Sequence, residues 1–234
     1  MLNQKQNNLL TLAVSKGVEI LNIADYQNKN SILTCRCIKG KHEFQDTVDG
    51  FLRTDFECIK CLQEEVRNVQ DLTPFFLALD AASYVTGASI FNRQGQLLGH
   101  KTISLEKKKV FFDRVNDLKQ EIDKIIKEQH IQCVILEDIQ YQQNPILFKK
   151  LAMLQGVIRY DVIQEHHLPL ITALADEWRA YNHIYGVKRQ EQKQAAIERA
   201  HTIFQTDIPE DESESIFLGY YGIYLFNTEQ LEED

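Results

Sequence analysis

Four carboxylates have the spacing and surroundings to do chemistry. Asp80 closes the apolar run Phe75-Phe76-Leu77-Ala78-Leu79, and Glu137 closes Val134-Ile135-Leu136. Each would sit at the carboxyl end of a core strand, where open α/β sheets build their sites. Asp211 and Glu214 are spaced i, i+3 and would share one face at the start of a helix, where they would also cap the helix dipole. A lone charge at such a place must be paired, protonated or bound to a cation. Oxygen-only donors drawn from three separate segments suit two Mg²⁺ ions, with Mn²⁺ as a substitute, in phosphoryl-transfer chemistry.

A second constellation carries sulfur. Cys35, Cys37, Cys58 and Cys61 lie close together, with His42 between them. A Cys-x-x-Cys knuckle preceded by a Cys and a His has the donor types of a tetrahedral Zn²⁺ site. Cys37, His42, Cys58 and Cys61 are the expected ligands, with Cys35 as the substitute for Cys37. All positions would be filled by protein, so the zinc would be structural. The plainer alternative is a small core containing buried cysteines. Cys133 sits in an apolar strand and reads as core.

The elements that must position these groups divide near residue 70. Residues 1–70 would form an N-terminal helix, over 8–24, and a zinc-binding module with a strand over 32–38. In 71–234 the patterns predict strands over 75–79, 87–92 and 96–104, with a turn at Arg93-Gln94-Gly95. A helix over 106–130, a strand over 132–136, a helix over 144–167 and a strand over 168–173 follow. Helices over 189–204 and 212–226 close the chain. Three strands followed by alternating helices and strands give a mixed-sheet α/β domain.

Asp80-Ala81-Ala82-Ser83-Tyr84-Val85-Thr86-Gly87 resembles the first catalytic strand of RuvC-type Holliday-junction resolvases, in which Asp-x-x-Ser-x-x-Thr-Gly opens an RNase H-like fold. Leu136-Glu137-Asp138-Ile139-Gln140 is similar to that family's second acidic strand. Asp211-Glu212-Ser213-Glu214-Ser215 resembles its closing Asp-x-x-Asp, with Glu in place of the last Asp. The resemblance spans about residues 74–227. It implies an RNase H-like mixed β-sheet flanked by helices, with Asp80, Glu137, Asp211 and Glu214 as Mg²⁺ ligands. It further implies hydrolysis of four-way or branched DNA to 5′-phosphate and 3′-hydroxyl ends, without a covalent intermediate or an organic cofactor. The family dimerises through the helix corresponding to Phe148–His166, so a homodimer is expected. The cysteine segment is similar to zinc-ribbon or treble-clef modules attached to phage nucleases. Glu214 is one methylene longer than the family pattern, and Asp138, facing away from Glu137 by strand alternation, is the lesser candidate.

Lys188, Arg189 and Lys193 open a helix placed like the family's phosphate-contacting basic helix, although a solvated helix face explains them as well. Lys107-Lys108-Lys109 reads as solvated surface. Tyr141, in the Gln/Asn-rich loop after the Glu137 strand, corresponds to an aromatic that stacks at the junction crossover. Trp178, the single tryptophan, reads as a packing anchor. The formal net charge of -8 argues against a generic basic DNA binder. Yet eight of the 34 acidic residues lie beyond Pro209, where there is no Lys or Arg, so the rest of the chain carries 26 of each sign. No apolar run is long enough for a membrane span and no secretory signal is visible, so the expected compartment is the cytoplasm. Three other readings remain: a related nuclease for flap or branched DNA, a catalytically silent junction-binding protein, and an actin-like ATPase, which would need a second Asp-Gly phosphate loop that the sequence lacks.

Overall fold

The computed structural model describes residues 2–53, 58, 61, 72–140 and 144–232. The chain separates into two compact units, Met1–Val69 and Gln70–Asp234.

The first unit opens with α1 (Gln4–Ser15), started by a reciprocal cap in which the Asn3 side chain accepts from Gln6 N and the Gln6 side chain accepts from Asn3 N, both at 2.9 Å. A three-stranded antiparallel sheet follows in the order β1 (Val18–Ile20), β2 (Ile32–Cys37), β3 (Glu43–Thr47). The unit continues into α2 (Val48–Arg53). The helix expected over 8–24 therefore stops at Ser15. Val18 and Ile20 are buried and Glu19 is exposed, a strand alternation that a helical reading of Val18 and Leu21 concealed. Leu9, Ala13, Val18, Leu33, Cys35 and Phe51 form the core of this unit.

The second unit is built on a five-stranded mixed sheet of β4 (Pro74–Asp80), β5 (Val85–Asn92), β6 (Leu97–Ser104), β7 (Cys133–Asp138) and β8 (Leu170–Leu174), in the spatial order β6-β5-β4-β7-β8. β4, β5 and β6 run as an antiparallel meander, whereas β7 and β8 add parallel to β4. Among the described residues, five α-helices accompany the sheet: α3 (Phe111–Glu128), α4 (Pro145–Tyr160), α5 (Ala175–Tyr181), α6 (Arg189–Phe204) and α7 (Glu210–Glu232). This is the mixed sheet flanked by helices that the strand and helix pattern predicted.

Alternation along β4 separates two packing layers. Leu77 and Leu79 join Val134, Leu136 and the α3 residues Val115, Leu118 and Ile122 in one core cluster, which Leu154 and Ile158 of α4 complete. Phe76 instead meets Phe226 of α7 edge-on at 5.2 Å, and Phe91 of β5 meets Tyr220 at 5.3 Å. Cys133–Leu136 is fully buried, as a central parallel strand covered on both faces requires.

Two further helix boundaries and one whole element differ from the sequence reading. α3 begins at Phe111 rather than 106. The helix expected to 167 ends at Tyr160 and passes into a π-helical turn, Asp161–Glu165. α5 is a short helix that the sequence reading omitted. Among the described residues, no helix is long and apolar enough to cross a membrane.

Candidate active site

Strand register places the first two carboxylates side by side. Leu79 of β4 pairs with Leu136 of β7, so Asp80 and Glu137 follow at the carboxyl ends of adjacent central strands, about 4.8 Å apart in backbone spacing. On the other side of β4, Asp80 pairs with Gly87 of β5. A Cβ at Gly87 would stand 1.8 Å from the Asp211 carbonyl oxygen. The bare backbone there is what lets the first turn of α7 approach the strand pair. Asp211 and Glu214, one turn apart, are thereby brought to the strand end that carries Asp80.

All four acids line one cleft of about 440 Å³, together with Tyr84, Gln155, Arg179, Arg189 and Lys193. No three of the four bring their ligand atoms within 4.8 Å of one another. Among the described residues, the only groups of three metal-ligating side chains with all their ligand atoms within 4.8 Å are Cys37–Cys58–Cys61 and Asp123–Asp161–His166. Two of the four acids, Glu137 and Glu214, are held by side-chain donors.

Those partners come from α5. Trp178 Nε1 donates to Glu137 Oε2 at 2.8 Å, and Arg179 Nη2 donates to Glu214 Oε1 at 2.9 Å. Gln155 of α4 donates to the Glu137 backbone oxygen at 2.5 Å. Lys193 Nζ ion-pairs with Glu210 and lies 3.9 Å from Glu214 Oε2. Asp138 is taken by Arg159 at 2.8 Å. Trp178 is fully buried, as a packing anchor should be, but it also holds an acid of the cleft. The sequence reading gave Arg179 no role, since its acid partner Glu214 lies 35 residues away in the chain.

Burial dominates the proton affinities of three of the four acids. Burial pushes the Asp80 carboxyl well above the ordinary range, and the charges of Glu137, Glu214 and Asp211 push it further. Burial also raises Glu137, opposed by the Trp178 hydrogen bond and by Arg179. Asp211 is raised by burial and then by Glu210. Oxygen-only donors with raised proton affinity in one cleft fit hard divalent cations such as Mg²⁺ or Mn²⁺, which would relieve the same repulsion that protons relieve.

Of the expected nucleic-acid contacts, Arg189 and Lys193 line the cleft. Lys188 is exposed and lies outside the cleft lining. Tyr141 falls outside the described residues. Tyr84, also on the cleft wall, stacks over the buried Arg114 guanidinium at 4.2 Å.

In the first unit, Cys37 Sγ lies 3.5 Å from Cys61 Sγ, and His42 Nδ1 lies 3.4 Å from Cys58 Sγ and 3.5 Å from Cys61 Sγ. The Cys37, Cys58 and Cys61 thiols lie within 4.8 Å of one another, with His42 Nδ1 beside two of them, and these donor types suit a structural Zn²⁺ site. Gly40 N donates to Cys37 Sγ, and a Cβ at Gly40 would stand 2.5 Å from Cys61 Sγ and 2.7 Å from His42 Nδ1. Burial raises the Cys61 thiol to about 12, so a metal, rather than the surroundings, would have to draw off its proton. Cys35, the substitute for Cys37, packs instead in the core beside Leu9 and Leu33. Burial and the charge of Asp46 push it up to about 12.

No family model matches the sequence, and no curated protein matches it. The fold does have relatives. T. thermophilus RuvC in complex with a Holliday junction substrate matches with a TM-score of 0.52 at 11% identity, over 65% of this chain and 96% of that chain. T. thermophilus RuvC itself matches with a TM-score of 0.52 at 12% identity, over the same shares. The yeast mitochondrial Holliday junction resolvase Ydc2 gives a TM-score of 0.47 at 10% identity, over 72% of this chain and 85% of that one. The chain has a RuvC-like fold.

Proposed function

We infer that this protein is a divalent-metal-dependent endonuclease that resolves four-way DNA junctions. One observation carries the reading: Asp80, Glu137, Asp211 and Glu214, from three elements, line a single cleft that Arg189 and Lys193 also enter. The RuvC-like fold supports it, since the RuvC structure that it resembles is described with a Holliday junction substrate. Two Mg²⁺ ions, or Mn²⁺ in their place, would supply the Lewis acidity that activates a water and stabilises the departing 3′ oxygen. The four acids would hold the ions. Arg189 and Lys193 would fix the phosphate backbone and neutralise part of its charge. Products would be a 5′-phosphate and a 3′-hydroxyl.

Two further features belong to this reading. Phe111, Phe112, Val115, Met153, Val157 and Tyr160 line an apolar groove between α3 and α4, the face on which a homodimer would form. Cys37, His42, Cys58 and Cys61 would bind a structural Zn²⁺.

The test is cleavage of a synthetic four-way junction in Mg²⁺, with linear duplex, flap and fork DNA in parallel. Wild type should cut the junction in paired, symmetric positions, and Asp80→Asn should not cut. A catalytically silent junction binder is the second reading, favoured by the Arg179–Glu214 ion pair, which already neutralises one carboxylate. Junction binding without cleavage by wild type would establish it.

A further inference from the structure

The sole tryptophan is the first clue, because its polar atom is spent on an acid. Trp178 is fully buried, and its indole N–H points to Glu137 Oε2 at 2.8 Å. The next residue, Arg179, holds Glu214 at 2.9 Å while its guanidinium stacks on the Trp178 ring at 4.6 Å. The Arg179 Nε is buried with no hydrogen-bond partner. Asn182, one turn on, donates to both the Trp178 and the Phe217 carbonyl oxygens, at 2.7 and 2.8 Å. α5 thus grips Glu137 on β7 through Trp178, Glu214 on α7 through Arg179, and the α7 backbone through Asn182.

We propose that Trp178 is a positioning residue for the metal site, and that its indole N–H fixes the Glu137 carboxylate so that the Oε1 oxygen is presented to a divalent cation. The proposal rests on the nuclease reading of the same cleft. A carboxylate with one oxygen engaged by a donor loses rotational freedom and offers the other in a set direction. Such outer contacts typically change metal affinity by about 10–100-fold when removed. Packing alone would account for the buried ring but not for the direction of its N–H. A Phe at this position would fill most of the volume and satisfy nothing.

Because the chain has one tryptophan, its fluorescence reports this contact without labelling. Mg²⁺ titrated into the full-length, metal-free protein should shift the emission of Trp178, and Glu137→Gln should abolish that shift. A replacement of the indole by β-(3-benzothienyl)alanine, introduced through Trp auxotrophy, keeps the shape and removes only the N–H. Calorimetry with this protein, at a temperature where it is fully folded, should show Mg²⁺ binding weakened by about tenfold. Trp178→Phe should weaken binding similarly. Mg²⁺ affinity within twofold of wild type in the benzothienyl protein would overturn the proposal. So would a fluorescence change that persists in Glu137→Gln. Failure of the nuclease reading looks different: Asp80→Asn would then cut as well as wild type, or no junction cleavage would be seen at all.

Discussion

At the scale of single residues, the cleft is a place where function opposes stability. Asp80 is raised by burial and by three neighbouring acids, so the folded protein binds its proton more tightly than the unfolded chain does. The consequence for stability has a definite sign. A raised acid in the native state costs stability at pH values above its folded pKa, and that cost is relieved as the pH falls through it. The melting temperature in EDTA should therefore rise on mild acidification, and Mg²⁺ should flatten this dependence by taking the proton's place. Asp80→Asn removes the repelled charge. It should raise the melting temperature in EDTA by about 2–4 °C, the shift that about 1 kcal/mol gives in a chain of this size. The same substitution should reduce junction cleavage by at least about 10²–10³-fold, the usual cost of losing a group that stabilises transition-state charge. Calorimetric scans and single-turnover assays on one preparation check both; an Asn variant less stable than wild type in EDTA would mean that Asp80 is not repelled.

Arg179 has the opposite balance. Its pair with Glu214 is buried, with side chains 10% and 2% exposed. Removing one partner of such a pair leaves a buried charge uncompensated, at a cost of about 3–5 kcal/mol. Arg179→Met should show that loss in denaturant unfolding of the metal-free protein, and Mg²⁺ should restore part of it.

At the scale of elements, how much was legible depended on whether a signal was local. The strand ends at Asp80 and Glu137 were readable because apolar runs stop at an acid. The pairing of β4 with β7 was not readable from the order of elements; the register of Leu79 with Leu136 shows it. The clamp by α5 was not readable: Ala175–Tyr181 is too short for a helical period to stand out, and its acid partners lie far away in sequence. The π-helical turn at Asp161–Glu165 was hidden for a related reason. Against the upward push of burial, Lys119 and His166 draw Asp123 down to about 2, and Lys119 also pairs with Asp161 at 2.6 Å. That tie between α3 and the end of α4 is made across space. In the zinc module the spacing left Cys35 and Cys37 open. Both face inward on β2, and the choice was made by which one lies beside the knuckle. Cys58→Ser should abolish zinc retention measured by elemental analysis, whereas Cys35→Ala should keep the zinc and cost about 1–2 kcal/mol through lost core packing. Equal zinc content in wild type and Cys58→Ser would remove the metal assignment.

At the scale of the whole molecule, the question is what a single cleft can do to a four-way junction. A junction has two-fold symmetry and needs two cuts, so a two-fold dimer would match it with two clefts. On the proposed reading, the surface for such a dimer would lie on α3 and α4. Phe112 is 65% exposed, Tyr160 61% and Ile146 70%, and the groove between the helices is apolar. Apolar side chains concentrated in this way mark interaction surfaces more often than chance does. Phe112 already stands in solvent, so replacing it should leave the fold intact and act on association alone. Phe112→Glu would place a charge at the centre of the contact, where like-charge repulsion across the two-fold axis adds to the desolvation cost. Sedimentation velocity should show wild type as a dimer and Phe112→Glu as a monomer of unchanged melting temperature. The monomer should still nick a junction in Mg²⁺ but should not make the second, symmetric cut in the same binding event, so nicked junctions should accumulate on a supercoiled cruciform plasmid. A wild-type protein that sediments as a monomer at the concentrations used for cleavage, yet makes paired cuts, would show that the two incisions come from independent encounters.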